Sequence, residues 1–382
     1  MFRSFGRFAL KEPMEDLTEN RTLRRGWTTG ACATAAARAA FEGLMSGDAP
    51  PDPVEIALPS GQRVAFAVAE VEQGTDFCRV GIIKDAGDDP DVTHGALICA
   101  TVRPGLKGSG VNFCAGEGVG TVTRPGLPVP PGEPAINPVP RAMMRQAISE
   151  AAGALGVEPD AIIEISVPDG LVRAKNTLNA RLGIIGGLSI LGTTGVVIPF
   201  SCAAWIDSIH RSIDVARAIG IGHVAATTGV TSEKAVQAIY GLPEPALVEM
   251  GDFVGGFLKY LHKHPISRVT LGGGFAKMLK LSQGRLDLHS ARSHLDLVRL
   301  AHLAKTLGAD QYTMQRIEGS NTALEALQLC QAVGIDLASP VAGDAWRVAA
   351  KTLNKREIEL EIIIFDRDGG LLARSPFKSA VL

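Results

Sequence analysis

Four aspartates crowd one short segment of the chain, residues 84–93, whose sequence is KDAGDDPDVT. Asp85, Asp88, Asp89 and Asp91 lie within seven residues of one another. Carboxylates at such spacing repel each other, so water, a metal ion or cationic side chains must neutralise them, or one of them must have a raised pKa. The spacing does not match that of a calcium-binding EF-hand loop. The alternative is a solvated turn, because Asp, Gly and Pro all favour turns, and the sequence leaves both interpretations open.

Four glycine-containing corners occur in the C-terminal half, each where a strand is predicted to end. They are Thr227-Thr228-Gly229, Met250-Gly251-Asp252, Gly272-Gly273-Gly274 and Glu318-Gly319-Ser320-Asn321. In a doubly wound sheet the ligand binds beyond the carboxyl ends of the strands. Glu249 follows Gly229 by 20 residues, the spacing at which a Rossmann-like site places the carboxylate that binds a ribose. A tight turn explains any one of these glycines, but the four corners together favour a cofactor that carries a nucleoside.

Two arginines precede a predicted helix near the N-terminus. Arg24 and Arg25 come just before Thr28 and Thr29, and either threonine is a natural N-cap for the alanine-rich segment that follows. The free N–H groups of a helix start, together with two cationic side chains, would suit an anion. The alternative is a plain capped helix with two solvated arginines.

A group of basic side chains follows the third glycine corner, at Lys277, Lys280, Arg285, His289, Arg292 and His294. With the N-terminal arginines they would suit a multiply anionic substrate, although any one of them is more commonly a solvated surface cation. The pairs His262/His264 and His289/His294 lack the i, i+4 spacing of a helical metal pair. The sequence therefore predicts no metal site.

The elements that position these groups meet at one uncharged run, in which no charged residue occurs between Arg181 and Asp207. A membrane span, a buried pair of strands and a ligand cleft lined by backbone are the three interpretations. A membrane helix needs about 20 continuous apolar residues, and here five glycines, Thr193-Thr194 and Pro199 interrupt the run. Glycine is more useful where backbone closely approaches a ligand or another strand. We therefore interpret the run as the boundary between two domains, with Thr193 and Thr194 at the substrate.

Apolar patterns predict different secondary structure on the two sides of this run. Before it, strands and hairpins are accompanied by the alanine-rich helix and by a second helix that ends near Leu155. After it, helices and strands alternate, including strands at 311–317 and 357–366, which implies a mostly parallel, doubly wound sheet. The predicted fold is thus α/β and α+β in two domains. An N-terminal α+β domain, residues 20–190, has an antiparallel or mixed sheet, and a C-terminal Rossmann-like α/β domain, residues 191–382, is doubly wound.

The composition is that of a soluble globular protein, with 46% hydrophobic and 20% charged residues. A length of 382 residues exceeds the size at which single cores stop growing, which favours two domains. The net charge of −2 argues against a general nucleic-acid binder. The six cysteines contain no Cys-x-x-Cys pair, and residues 1–10 lack the long apolar core of a secretory signal and are interpreted as a loose leader. Reduced thiols and a cytoplasmic location are therefore expected.

Taken in order, these motifs resemble those of the cobalt-precorrin-5B C(1)-methyltransferase family of cobalamin biosynthesis, in its anaerobic-route form. The resemblance covers roughly residues 23–290 and, more loosely, the remainder. It rests on the segments 23–30 (LRRGWTTG), 84–93, 116–127, 135–141 (AINPVPR), 181–195 (RLGIIGGLSILGTTG) and 277–290. The strings DDPD and SILGTTG are long and rarely met elsewhere. Trp27, Ala31, Leu171 and Leu288 depart from the family pattern, so no role is transferred to positions 171 and 288.

The resemblance implies the transfer of a methyl group from S-adenosylmethionine to C-1 of a ring-contracted corrinoid, cobalt-precorrin-5B, to give cobalt-precorrin-6A. The residues expected to be catalytic are Asp88, Asp89 and His289. Those expected to bind the cofactor are Thr228, Gly229, Glu249, Gly272, Gly273 and Gly274. Those expected to bind the substrate are Arg24, Thr28, Thr29, Thr193, Thr194 and Lys277.

The expected partner is the small-molecule corrinoid, with no nucleic acid, no membrane and no protein-bound metal, and a homo-oligomer is left open. Two alternatives remain at this point. One is an NAD(P)-dependent oxidoreductase that acts on a polycarboxylate tetrapyrrole. The other is a tetrapyrrole carrier without catalytic activity.

Overall fold

The structure, a computed structural model, describes residues 23–290 and 292–381. The segment interpreted as a leader lies outside these residues. In chain order, the first elements are β1 (Gly26–Trp27), α1 (Thr29–Ser46), β2 (Val54–Ala57), β3 (Arg63–Phe66), β4 (Glu70–Gln73), β5 (Cys78–Ile83), β6 (Leu97–Pro104), β7 (Val111–Ala115), β8 (Thr121–Val122), α2 (Pro138–Leu155), β9 (Ala161–Ser166), α3 (Gly170–Ala174), α4 (Asn179–Leu182), β10 (Ile184–Ile185) and β11 (Val196–Val197). The elements that follow are α5 (Cys202–Ala218), β12 (His223–Thr227), α6 (Val230–Tyr240), β13 (Leu247–Glu249), α7 (Val254–Lys263), β14 (Arg268–Gly274), α8 (Phe275–Ser282), α9 (Leu297–Thr306), α10 (Gln311–Glu318), α11 (Ala323–Ala332), α12 (Ala338–Leu353), β15 (Lys355–Phe365) and β16 (Leu371–Ala380).

Helix α1 is the centre of the N-terminal core. Its alanines are fully buried, because their small side chains allow close packing against α2 and against strands β5 and β6. Those strands belong to a mixed sheet in the order β4-β5-β6-β9-β7, in which only β7 and β9 run parallel. Thr28 caps the start of α1, and Gly47 ends it with a φ of 73°, where glycine is the favoured residue.

The C-terminal part contains a second mixed sheet, in the order β13-β12-β14-β15-β16. Its first four strands are parallel, and β16 pairs antiparallel with β15. Successive strand residues point to opposite faces. Val224 and Ala226 therefore lie in a large core with α7, α8 and α12, whereas Ala225 packs with Val236 of α6 in a smaller core. The described residues thus form a mixed α/β fold with two five-stranded sheets.

One predicted strand is wrong. Residues 311–317 form helix α10, because Asp310 accepts a hydrogen bond from the N–H of Thr313 at 2.7 Å and caps the helix. Thr313, Met314 and Ile317 then bury one helical face. The fourth glycine corner, at Gly319, consequently joins two helices instead of ending a strand.

The uncharged run is not a membrane helix, since none of the helices in residues 23–290 and 292–381 is long and apolar enough to cross a membrane. Instead it forms two short strands that pair with the N-terminal part, β10 with β8 and β11 with β1. Glycine is required at position 192, where φ is 135° and an added Cβ would lie 2.3 Å from the Thr28 hydroxyl. The prediction of closely approaching backbone is confirmed at this glycine.

Candidate functional site

Neighbouring cations neutralise two of the crowded aspartates. Arg24 donates from Nη2 to Oδ1 of Asp85 at 2.9 Å, and its hydrogen bond, with help from the N–H of Gly87, lowers the pKa of Asp85 to about 2. Asp91 pairs at 2.5 Å with Lys84, whose side chain is completely buried. Burial opposes the charged form of Asp91, yet Lys84 and Thr93 hold its pKa below the ordinary value. Cationic compensation is therefore the correct interpretation for these two carboxylates.

The other two aspartates accept hydrogen bonds from the backbone of two other segments, Asp88 from Arg24 and Asp89 from the loop that precedes α5. Asp88 is exposed, and its Oδ2 accepts a hydrogen bond from the backbone N–H of Arg24 at 2.7 Å. Asp89 is half-buried, and its Oδ1 accepts from the backbone N–H of Phe200 at 2.8 Å. The aspartate turn is thus bonded directly to the uncharged run, as two segments of one surface.

The start of α1 does not offer the free N–H groups that the sequence predicts. The N–H of Thr28 donates to the carbonyl of Gly195 at 3.0 Å, and that of Gly30 donates to Leu191 at 2.8 Å. The Thr28 hydroxyl accepts from Ala31, and Thr29 is buried. Backbone of the uncharged run therefore occupies the position predicted for an anion.

Arg24 is likewise not a free cation, because Asp85 holds its guanidinium. Arg25 is exposed and has no hydrogen bond or ion pair with any described residue. Thr193 and Thr194 are exposed as predicted, and the Thr194 hydroxyl accepts from the N–H of Val196 at 3.2 Å. Of the predicted substrate contacts, Arg24, Thr193 and Thr194 are exposed, and Arg24 is paired with Asp85.

A cavity of about 840 Å³ lies at the carboxyl ends of β12, β14 and β15. The helix starts of α6, α8 and α11 and the turn between β15 and β16 surround it. Four predicted site residues line it, namely Thr228, Gly229, Gly274 and Lys277. Two of the four predicted glycine corners, those at Gly229 and Gly274, therefore meet at one cavity.

Neither packing nor backbone conformation explains the two lining glycines. Gly229 has an extended backbone, with φ 166° and ψ 175°, and Gly274 has φ −68° and ψ 155°, which any residue can adopt. A Cβ added to either one would meet no protein atom within 4 Å. Both glycines cap helix starts, where glycine is a favoured residue, and the open space beside them also permits the close approach of a ligand.

Gly272 and Gly273 serve packing instead. A Cβ at Gly273 would lie 2.6 Å from Met278 Cε and 2.8 Å from Thr228 Oγ1, and one at Gly272 would lie 2.8 Å from Val236. Both are buried on β14, behind the wall of the cavity. The absent side chain of Gly273 allows Thr228 to pack against the strand, and that of Gly272 leaves room for Val236.

Glu249 does not line this cavity. It ends β13, opposite Thr227 in the parallel register, and it is half-buried near Arg181 and Glu233. Arg181 holds Glu233 with two hydrogen bonds of 2.6 and 2.8 Å. Burial and the Glu233 carboxylate raise the pKa of Glu249 above its ordinary value, and the charge of Arg181 opposes them.

Lys277 lines the cavity, and His289 lies in the segment that follows Leu288, which bonds to the corner at Asp252. Lys277 forms an ion pair with Asp252, whose carbonyl accepts from the N–H of Leu288 at 2.9 Å. The backbone N–H of His289 donates to Asp287 at 3.0 Å. The structure thus holds His289 in the segment that covers Asp252, beside the Lys277 ion pair.

Contacts of α5 connect this region with the aspartate turn. A Cβ at Gly251 would lie 3.5 Å from the Trp205 ring, and one at Gly256 would lie 3.3 Å from Ile206. Helix α5 begins at Cys202, directly after the segment that contains Phe200. A continuous path therefore leads from Asp89 through Phe200 and Trp205 to the corner that precedes Asp252.

Sequence reasoning missed polar residues that also line the cavity, including Thr322, Gln328, Gln331, Asp366 and Asp368. The signal for the aspartates was present, because the sequence DRDGG follows a correctly predicted strand. Oδ1 of Asp366 accepts from the N–H groups of Asp368 and Gly370 at 2.9 and 2.7 Å, which forms the turn. No group of three or more His, Cys, Asp or Glu side chains in the described part of the chain is arranged to hold a metal ion.

Comparisons with known proteins identify the family. A family model described as CbiD matches residues 16–199, and a model described as CbiD, C-terminal domain, matches residues 287–376. Proteins named cobalt-precorrin-5B C(1)-methyltransferase are similar over nearly the whole chain. The one from Methylorubrum extorquens is 58% identical, covering 93% of this chain and 98% of that protein. The one from Agrobacterium fabrum is 58% identical and covers 94% of both.

A third protein named cobalt-precorrin-5B C(1)-methyltransferase, from a Bradyrhizobium species, is 59% identical, and the match covers 93% of this chain and 94% of that protein. A crystal structure described as a cobalamin biosynthesis protein (cbiD) from Archaeoglobus fulgidus is 31% identical, covers 71% of this chain and 83% of that one, and has a TM-score of 0.39. From the family models and the curated relatives together, the chain belongs to the CbiD family of cobalt-precorrin-5B C(1)-methyltransferases.

Proposed function

We propose that the chain catalyses the reaction for which its relatives are named, methylation of C-1 of cobalt-precorrin-5B in cobalamin biosynthesis, with S-adenosylmethionine as the methyl donor. The observation that carries this proposal is 58% identity over 93% of the chain to a protein of that name. The cavity at the strand ends supplies a donor site with suitable residues. A cytoplasmic location belongs to the same proposal and is tested by cell fractionation, whereas the oligomeric state stays open and is measured by sedimentation.

The division of labour follows the two sheets. The Rossmann-like C-terminal part, predicted to begin at residue 191, binds the donor, and the N-terminal part, which residues 191–200 complete, binds most of the corrinoid. The parallel order β13-β12-β14-β15 supports the first assignment, because ligands of such sheets lie at the carboxyl ends of the strands. The separate N-terminal core around α1 supports the second.

The donor site fits S-adenosylmethionine in charge as well as in shape. The helices α6, α8 and α11 begin at Gly229, Gly274 and Thr322, all of which line the cavity. Helix starts favour anions, and the donor carries one carboxylate. Asp366 and Asp368 line the opposite side and supply negative charge for its cationic groups.

Glu249 is assigned to the ribose hydroxyls. Its strand ends beside β12, which leads directly into the Thr228–Gly229 corner, so a nucleoside at that corner extends towards it. Hydroxyl donors stabilise a carboxylate, and a half-buried carboxyl with a raised pKa gains most from such partners. Gly272 and Gly273 act indirectly, because Gly273 allows Thr228 to pack against the strand and Gly272 leaves room for Val236.

When bound, the sulfonium of S-adenosylmethionine supplies an activated methyl group, which passes to C-1 while the electron pair of its bond to carbon stays on sulfur. The enzyme mainly aligns the two reactants in a site with little water. C-1 provides the electron pair of the new bond, so positive charge passes to the macrocycle. Asp88 and His289 are the groups proposed to stabilise that charge or to take up a proton, and Asp88 is the exposed carboxylate among the residues predicted to be catalytic.

The corrinoid carries several carboxylates, and its proposed contacts are corrected by the geometry. Arg25 takes the role predicted for Arg24, because Asp85 occupies the Arg24 guanidinium. Thr193 and Thr194 keep their predicted role as substrate contacts, because both are exposed. Thr28 and Thr29 act indirectly, through the packing of the uncharged run against the start of α1. Lys277, held by Asp252 at the rim of the donor cavity, is placed where donor and corrinoid meet.

The test of this function combines binding and turnover. The purified chain is titrated with S-adenosylhomocysteine and with NADPH by calorimetry, and it is incubated with cobalt-precorrin-5B and labelled S-adenosylmethionine. We expect S-adenosylhomocysteine to bind and one labelled methyl group to appear on the corrinoid. Binding of NADPH alone would favour an oxidoreductase, and binding of the corrinoid without consumption of the donor would favour a carrier.

A further inference from the structure

Phe200 has two features that are unusual for a residue with a purely structural role. Its φ is 56°, and among the described residues only Asn354 is another non-glycine with positive φ. Asn354 ends helix α12, where asparagine is a usual residue. A bulky residue in this conformation is a genuine outlier, and such outliers cluster at ligand sites.

The Phe200 side chain is also 66% exposed, in a region where neighbouring apolar side chains are exposed too. Ile198 and Trp205 are 54% and 44% exposed. Together they form an apolar surface on the path between the aspartate turn and the corner at Gly251. An exposed apolar patch of this kind marks a binding surface.

The hydrogen bond from the Phe200 N–H to Asp89 explains how the unfavourable conformation persists. The bond is 2.8 Å long, and it joins positions 111 residues apart in the sequence. It holds the backbone at the residue whose φ is positive. Since one Asp89 oxygen is engaged in this way, the carboxylate has a use that does not require proton transfer.

We infer that Asp89 is a positioning residue that holds the Phe200 ring where it stacks on the face of the corrinoid macrocycle. The inference rests on the proposed function and extends it to the recognition of the conjugated ring system. An aromatic side chain has only two side-chain torsions and prefers offset-stacked contacts with flat π-systems. Arg25, which is exposed and has no ion pair with a described residue, suits a carboxylate at the rim of the macrocycle.

The experiment measures the equilibrium affinity for cobalt-precorrin-5B, through quenching of intrinsic tryptophan fluorescence, in Phe200→Ala, Phe200→Gly and Phe200→Trp. We expect the Kd to rise about tenfold in the first two variants, since about 1.4 kcal/mol of aromatic contact corresponds to a factor of ten. Phe200→Trp retains affinity to within about threefold, because its ring also stacks.

Thermal unfolding of the same variants separates this role from a structural one. Phe200→Gly removes the Cβ that disfavours positive φ, so it unfolds at a higher temperature than Phe200→Ala although both bind weakly. Tyr312→Ala is the matched control, because Tyr312 is 67% exposed and lies on α10, and its Kd stays at the wild-type value. An unchanged Kd in both Phe200→Ala and Phe200→Gly would overturn the inference.

Asp89 is tested with Asp89→Asn and Asp89→Ala. The amide oxygen of asparagine can still accept the Phe200 N–H, so Asp89→Asn keeps the Kd near wild type, whereas Asp89→Ala raises the Kd as Phe200→Ala does. A large loss of kcat in Asp89→Asn with an unchanged Kd would show proton transfer and refute the positioning role. Affinity for S-adenosylhomocysteine stays unchanged in all these variants. Failure of the proposed function is a distinct outcome, because it appears as absent methyl transfer in the wild type.

Discussion

Alanine at Gly229 or Gly274 is expected to weaken donor binding without preventing folding. Both glycines lie at helix starts beside the cavity, and an added Cβ would meet no protein atom within 4 Å. The methyl group would instead occupy the space assigned to S-adenosylmethionine. In a packed site an extra methyl group costs about 1–3 kcal/mol, which corresponds to a Kd about 5–150 times higher.

The assay is calorimetric titration with S-adenosylhomocysteine, together with urea unfolding of each variant. Alanine is a poorer N-cap than glycine, so a loss of about 1 kcal/mol in the free energy of unfolding is expected. Gly153→Ala is the matched control. It lies inside α2, is exposed and also has no neighbour within 4 Å, so the Kd stays constant and stability rises by about 0.5–1 kcal/mol.

Gly273→Ala should behave differently from both. Its Cβ would lie 2.6 Å from Met278 and 2.8 Å from the Thr228 hydroxyl, so both the free energy of unfolding and donor affinity should fall. The reasoning is refuted if Gly229→Ala and Gly274→Ala bind S-adenosylhomocysteine as tightly as wild type. In that case the donor would lie elsewhere, and the two glycines would serve only as N-caps.

Three further predictions concern titratable groups. Affinity for the donor should rise as the pH rises through the raised pKa of Glu249, because its carboxylate form accepts hydrogen bonds from the ribose hydroxyls. Calorimetry of Glu249→Gln at several pH values should show weaker binding that does not depend on pH. Lys84→Met leaves the partly buried Asp91 without its partner and should lower the free energy of urea unfolding by about 3 kcal/mol, most of which Lys84→Met combined with Asp91→Leu should recover. Burial, with the charge of Arg268, lowers the pKa of His223 to about 4. The free energy of unfolding should therefore decline between pH 6.5 and pH 4, because the unfolded chain takes up the proton and the folded chain does not. Urea unfolding of His223→Gln should show a flatter pH dependence, and an equally steep one would contradict this.

Periodicity was sufficient to predict the C-terminal alternation of strands and helices, because each parallel strand is an apolar run bounded by glycine. It failed at residues 311–317, where Tyr312, Thr313 and Ile317 favour strands by type. There the Asp310 cap and the buried face of α10 determine a helix. Local preference yields to tertiary packing in such short segments.

The candidate site was predicted in outline, and its errors have a common cause. Residue types placed Thr228, Gly229 and Gly274 at strand ends, and the structure brings them to one cavity. The spacing of residues along the sequence gave no information about which partner each charged side chain would pair with in the fold. Arg24 is consequently held by Asp85, the first turn of α1 is covered by backbone from 191–195, and Glu249 lies outside the cavity. These are long-range pairings that a sequence pattern does not specify.

The pairing of β1 with β11 has a practical consequence for dissecting the chain. A fragment that ends at residue 190 would lack the carbonyls that receive the N–H groups of Thr28 and Gly30 and would leave Gly26 and Trp27 without their partner strand. A fragment that extends to about residue 200 keeps both, together with the Asp89 bond to Phe200. To express the N-terminal half as an independent unit, the fragment should therefore end near residue 200. Residues 191–200 follow the predicted domain boundary, but they complete the surface of the N-terminal half.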